Sequence, residues 1–220
     1  MKTLNVSFRY GVTLGITALI CTALSVGFYF LTQDRIQRAI ATQQQELLSQ
    51  IIPSKYYDND LLASCTTFDI EILKQTRIDK ICTAQKNHLN TAYIYETVAT
   101  DGYSGNIRLI VGITLEGKIL GVRVTNHNET PGLGDKIELR ISDWILSFND
   151  QQIDPNNLGS WAVKKDGGKF DQFTGATITP RAVVNQVKQS ALAILQFINY
   201  AQLNNEQNED NAKSKKNTPH

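Results

Sequence analysis

The chain has 220 residues, with 22 Lys and Arg against 21 Asp and Glu, a formal net charge of +1 and a charged fraction of 20%. That length holds one ordinary domain plus extras, and the balanced charge argues against a nucleic-acid binder, which would show a basic stripe. The three cysteines, Cys21, Cys65 and Cys82, form no Cys-x-x-Cys pair, which argues against a zinc site or iron–sulfur cluster built on such pairs.

Residues 1–9 are a short tail. Behind them "YGVTLGITALICTALSVGFYFL", Tyr10 to Leu31, runs 22 residues without a charge. As a helix rising 1.5 Å per residue it is about 33 Å long, close to the thickness of a bilayer's hydrocarbon core. Tyr10 at one end and Phe28, Tyr29 and Phe30 at the other suit the two interfaces. The run is longer than the apolar core of a usual signal peptide, and Ile20 precedes Cys21 where a lipoprotein would have a small residue. The reading is an uncleaved single-span anchor over 10–31, with Cys21 a small apolar residue of the span. Lys2, Arg9 and the free amino terminus favour a cytoplasmic tail, while Arg35 and Arg38 oppose it. With the tail inside, the rest of the chain lies outside the cytoplasmic membrane in an oxidising space. There Cys65 and Cys82 either pair or stay two separate buried thiols; a bridge would be worth roughly 3 kcal/mol in the chain-entropy view.

Residues 32–65 read as a connecting helical segment. "TQDRIQRAIATQQQELLSQII" places apolar residues at 36, 39, 40, 47, 48, 51 and 52, a helical spacing, and "PSKYYDND" breaks it. Residues 66–201 read as one α+β domain. "FDIEIL", "DKICTAQ", "TAYIYETVA", "GNIRLIVGITL" and "KILGVRVTNH" are rich in β-branched and aromatic residues and predict strands. Glu116-Gly117 marks a hairpin between the last two, and the apolar middle of "NIRLIVGITL" predicts a strand covered on both faces. "DKIELRISDWILSFND", 135–150, predicts a helix with Ile137, Ile141, Trp144, Ile145 and Phe148 on one stripe. "PRAVVNQVKQSALAILQFINY" predicts another, whose apolar face runs from Val183 to Ile198. The tail at 202–220 is polar and low in complexity, and is expected to be disordered.

Two loops stand out. In "DQFTGATITP", Thr179 is read as an N-cap and Pro180 as the first helical residue. The helix's unpaired N–H groups then point back at Thr174 to Thr177, where a phosphate would be stabilised. Gly175 and Ala176 leave room for it. In "NHNETPGLGDKI", Pro131-Gly132 and Gly134 fix the backbone path beside His127, Glu129 and Thr130. Taken singly, each is also what an ordinary loop-to-helix junction looks like. Together they suggest a ligand bearing an anion. Neither matches GxGxxG or a Walker loop, so the usual nucleotide phosphate sites are not supported.

Asp171, Thr174-Gly175-Ala176-Thr177 and Thr179 resemble the flavinylation motif of the FMN-binding domain family. The plan of residues 1 to 200 is a short tail, one span, an outer domain, "HNETPGLG" and then "DQFTGATITP". In this it resembles the G subunits of Rnf (Rsx) ion-translocating electron-transport complexes. The resemblance implies FMN joined through a phosphoester to Thr177, with Thr174, Gly175, Ala176 and Thr179 around the phosphate. It implies that a flavin transferase reads Asp171. The other loop, with His127, Glu129, Thr130, Leu133 and Gly134, would close over the isoalloxazine; His127 and Glu129 either bond the flavin or only stabilise the turn. The implied partners are the other subunits of the complex, the transferase and membrane lipid. The implied location is the bacterial inner membrane, single-pass, with the domain periplasmic. Two alternatives stand beside it. The C subunit of the sodium-translocating NADH:quinone reductase is similar in plan, and a membrane-anchored binding or assembly module without flavin could use the same loops.

Overall fold

A computed structural model describes residues 2–156 and 158–216. They divide into two compact units, Met1–Glu46 and Leu47–His220. The first unit belongs to a single helix, α1 (Lys2–Ile51), 50 residues long. No proline interrupts it before Pro53. From Phe8 onward it is long and apolar enough to cross a membrane, with a mean hydropathy of 2.0 in its most apolar stretch. Leu14, Leu19, Leu24 and Phe28 are each 69–72% exposed, a surface suited to lipid. The hydroxyls along it need no water. Thr13, Thr17, Thr22 and Ser25 each donate to a carbonyl three or four residues back, at 2.8–2.9 Å.

The second unit is a five-stranded antiparallel meander in the order β1 (Cys65–Thr66), β2 (Ile81–Lys86), β3 (Leu89–Gly102), β4 (Gly105–Thr114), β5 (Ile119–Asn126). Its turns have local causes. Asn87 and His88 both take positive φ, 52° and 63°, as a two-residue primed hairpin requires. The expected turn between β4 and β5 is present, with Gly117 at φ +87°. β4 is covered on both faces, as its apolar run predicts. Leu109 and Val111 join the larger core, and Ile110 joins the smaller one behind the sheet.

The larger core lies between the sheet and α3 (Ile178–Lys216), where Val183, Val184, Val187, Ala191 and Ile194 are fully buried. Polar groups inside it are paired. Gln186 Nε2 donates to Thr97 Oγ1 at 2.6 Å and to the Thr76 carbonyl at 2.8 Å, and Tyr95 and Ser190 hydroxyls meet at 3.2 Å. Burial raises the Tyr95 phenol above its ordinary value. On the other face the last turn of α1 packs Leu48, Ile51 and Ile52 against Leu61 and Ile110. Gly112 and Gly121 are cross-strand partners that make a notch for it. A Cβ on Gly112 would stand 2.7 Å from Ile51 Cγ2, and one on Gly121 3.0 Å from the Ile51 carbonyl. Arg123 Nη2 donates to the Gln50 carbonyl at 3.1 Å, occupying one of the helix's unpaired acceptors. Cys65 and Cys82, direct partners across β1 and β2, are joined in a disulfide. The connecting segment is helical only to Ile51; beyond it one 3-10 turn, Ser54–Tyr56, is all that interrupts irregular chain before β1.

Three expectations change. "FDIEIL" is not a strand: its second half opens α2 (Glu71–Gln75), with Leu73 fully buried. Four apolar residues in six fit either period, and a tertiary contact decides, Phe68 meeting Phe197 of α3 edge-on with ring centres 5.0 Å apart. The helix expected over 135–150 is two 3-10 turns, Gly134–Ile137 and Asp143–Phe148. Glu138 and Ser142 are extended between them; Ser142 Oγ accepts the Trp144 N–H at 3.1 Å, and Ile141 leaves the stripe, 43% exposed. Finally, α3 begins at Ile178, so Thr179 and Pro180 lie inside its first turn rather than before it. Pro180 costs the helix nothing there, because the first-turn N–H groups have no partner within the helix. The α3 backbone stays helical to Lys216, through the stretch whose composition predicts disorder; the last four residues of that tail lie outside the described residues.

Candidate functional site

Two loops and a hairpin turn meet at the N-terminal end of α3. The first loop follows β5. The Thr130 carbonyl accepts from Leu133 N–H at 3.1 Å and Gly134 N–H at 3.0 Å. Pro131 is the second residue of that turn and Gly132 the third, at φ +77°, which is the type II pattern. Leu133 projects from it, 41% exposed. Glu129 points the other way and is 4% exposed. Its Oε1 accepts the Ser104 N–H of the β3–β4 turn at 2.9 Å, and its Oε2 accepts the Thr179 hydroxyl of α3 at 2.5 Å. One carboxylate thus ties together the three elements that form the site.

The second loop is held by aromatic packing. Phe173 is buried and meets Trp144 edge-on, with ring centres 5.1 Å apart. Trp144 Nε1 donates to the Asp171 carbonyl at 2.8 Å. From Phe173 the chain turns back at once: Ala176 N–H donates to the Phe173 carbonyl at 3.1 Å, with Gly175 at φ +83°. Thr174 and Gly175 form the exposed tip, and Thr177 is the residue immediately before α3. Outside this turn Arg181 holds the Asp166 carboxylate with two bonds, 2.6 and 2.9 Å.

Between the loops lies a cleft of about 290 Å³. Eight of the residues read from the sequence line it: Glu129, Thr130, Leu133 and Gly134 from one side, Gly175, Ala176, Thr177 and Thr179 from the other. Two more were missed. Tyr103, 68% exposed, comes from the β3–β4 turn, and Ile178, 43% exposed, opens α3. "DGYSG" between two strand patterns, an aromatic inside a glycine turn, was the available signal for Tyr103.

Three expected residues stand apart from the cleft wall. Thr174 is exposed at the tip. Asp171 is exposed and paired with Lys164 at 2.5 Å. His127 is behind the wall, its side chain 9% exposed. His127 Nδ1 accepts the Glu129 N–H at 3.0 Å, so the tautomer protonated on Nε2 fits, donating to Glu138 Oε1 at 2.5 Å. Glu138 also pairs with Arg140, and that bond, with the one from His127, holds its carboxyl below the usual range. The two loops also lead into different elements. The first opens only a four-residue 3-10 turn, so α3 alone supplies a helix N-terminus.

FMN fits these residues. Its phosphate needs a hydroxyl, room and a partial positive charge, which Thr177, Gly175 and the start of α3 provide. Its ring needs apolar walls, which Tyr103, Leu133 and Ile178 provide. Residues 102–191, which begin at the β3–β4 turn and take in both loops, match the FMN-binding domain family; residues 1–51 match the RnfG N-terminal region. The molecule is therefore an FMN-binding α+β domain preceded by a helix able to span a membrane. The G subunit of the ion-translocating oxidoreductase complex of Pasteurella multocida is 61% identical over 199 residues, 90% of this chain and 98% of that one. The protein of the same name from Haemophilus influenzae (strain PittEE) is 57% identical, over 89% and 93%. The crystal structure of Shewanella oneidensis NqrC aligns with a TM-score of 0.44 at 20% identity, covering 66% of this chain and 73% of that one. The chain belongs to the family of G subunits of ion-translocating oxidoreductase complexes.

Proposed function

We propose that this protein carries FMN as a phosphoester on Thr177 Oγ1 and serves as an electron-transfer subunit of an ion-translocating oxidoreductase complex in the bacterial inner membrane. The observation that carries the reading is the position of Thr177. Its hydroxyl-bearing residue lines the cleft, half-buried, one step before the positive end of a long helix. Bound there, FMN supplies the electron chemistry. The protein's own residues position it. The first turn of α3 offsets the phosphate's charge. Gly175 lets the phosphate approach the backbone, since a Cβ there would meet only Leu133 Cδ2 at 3.6 Å. Tyr103, Leu133 and Ile178 line the cleft and would shield the ring from water.

A threonine hydroxyl is not a nucleophile at neutral pH, so the ester requires an external transferase and a flavin-bearing donor. The exposed Asp171, six residues before Thr177, is the group such an enzyme would read. The disulfide Cys65–Cys82 supports a domain on the periplasmic side, where such bonds persist. The Pasteurella and Haemophilus relatives are subunits of a complex, which supports partner subunits for this chain, and α1 supplies the lipid contact.

The test is direct. The protein, purified from membranes of cells that make the transferase, is denatured, run on a gel and viewed under ultraviolet light, and its peptide spanning 170–181 is weighed. Flavin fluorescence on the band and the mass of an FMN adduct are expected. Thr177→Val removes both while leaving the fold intact. A dark wild-type band with the peptide at its unmodified mass defeats the proposal.

A further inference from the structure

Among the described residues Glu129 bears the only carboxylate in the cleft wall, and no lysine or arginine lines the cleft. None of the ion pairs among the described residues involves it. Its two bonding partners, the Ser104 amide and the Thr179 hydroxyl, are neutral. The surroundings keep it in place. A Cβ on Gly102 would come within 2.9 Å of Glu129 Oε1, and one on Gly134 within 3.0 Å of Oε2 and of Thr179 Oγ1. Two glycines therefore leave just the space this carboxylate fills.

Locking the three elements together does not need a charge. A glutamine would accept the Ser104 N–H through its oxygen and donate its amide N–H to Thr179, whose hydroxyl rotates freely. What the carboxylate adds is a fixed, almost fully buried negative charge. In a cleft walled by Tyr103, Leu133 and Ile178 that charge is weakly screened. Reducing a flavin places electrons and negative charge on its ring, and a neighbouring anion opposes that.

We propose that Glu129 is a positioning residue whose negative charge, paired with no cation among the described residues, holds the reduction potential of the flavin in this cleft low. The inference rests on the reading that FMN occupies the cleft. It is tested by redox titration of the flavin-loaded, full-length protein, followed by flavin absorbance. Glu129→Gln keeps the size and both bonds and removes the charge. Its potential is expected to rise, so that the reduced-to-oxidised ratio at a fixed potential grows at least about tenfold, or about 30 mV for a two-electron couple. Thr179→Val keeps the carboxylate and removes one of its two donors; titrated at a pH where the carboxylate is ionised, its potential is expected to fall. A loaded Glu129→Gln protein with an unshifted potential overturns the inference while leaving the flavin reading standing. If that variant does not load, Thr179→Val decides: a rise, or no change, overturns the inference. A wild-type protein without flavin on its band removes the attachment reading and this one with it.

Discussion

In the loop 127–134 the polar groups turn inward. Glu129 reaches Ser104 and Thr179, the Thr130 carbonyl gathers the N–H groups of Leu133 and Gly134, and what faces the cleft is chiefly the apolar Leu133. In the loop 171–178 the inward residue is the apolar Phe173, and hydroxyls are what remain outside. A loop fastened by hydrogen bonds has used its polar groups and presents a surface. A loop fastened by a ring keeps its hydroxyls for chemistry. The division suits the proposed attachment, in which one loop would give the flavin an apolar bed and the other a hydroxyl for the ester.

The comparison breaks most visibly at the aromatic anchor. Phe173→Ala removes a buried ring that packs on Trp144, and such truncations cost about 3–5 kcal/mol. For a unit of this size the thermal midpoint falls by roughly 6–20 °C, and flavin loading falls with it. A midpoint within 2 °C of wild type, on the order of the noise of one conservative surface change, would show that the ring is not what fastens the loop. The hydrogen-bonded loop is tested by Gly134→Ala. The new methyl would stand 2.9 Å from Glu129 Cβ, an overpacking that costs about 1–3 kcal/mol. Differential scanning fluorimetry should show a smaller drop than for Phe173→Ala, and loading should fall less than in that variant, because the methyl presses on Glu129 and on Thr179 Oγ1 but not on Thr177. A drop larger than that of Phe173→Ala would reverse the ranking of the two anchors.

The charged backing of the first loop has a pH signature. Hydrogen bonding to Arg140, and then to His127, lowers the Glu138 carboxyl from its ordinary value of 4.5. A depressed value in the folded state means that the stabilisation is fully present above the ordinary value and is lost as pH falls through the folded one. The midpoint difference between wild type and Glu138→Gln, measured from pH 7 down to pH 3, should therefore close below about pH 4.5. A difference that stays constant across that range would show that Glu138 acts by shape alone.

Much of this was legible beforehand, for reasons that differ by element. The span needs only length and apolarity, and β4 shows its double burial in a run of apolar residues. Eight cleft residues were readable because glycine, proline and threonine mark turns and helix starts by local chemistry. The helix expected over 135–150 failed because periodicity is silent about partners: Glu138 is drawn out by His127 and Arg140, residues no window around it weighs as contacts. The same holds for His127, whose placement behind the wall comes from a bond to the backbone of its own loop. Tyr103 was missed because it reaches the site through the pairing of β3 with β4, a contact between elements rather than a motif.

The smallest expected effect is the most discriminating. Thr174 and Thr177 are three residues apart, carry the same hydroxyl and flank the same glycine turn. By chemistry alone either could bear the ester. Geometry separates them: Thr174 is exposed on the tip and outside the cleft, whereas Thr177 lines it one residue before α3. The helix's partial charge falls off within its first turn, so only the nearer threonine gains from it. Thr174→Ala should therefore keep full flavin fluorescence on the denatured band and change stability by no more than about 0.5 kcal/mol. Loss of fluorescence in that variant, with loading kept in Thr177→Val, would move the attachment to the tip and free the mouth of α3 for some other anion.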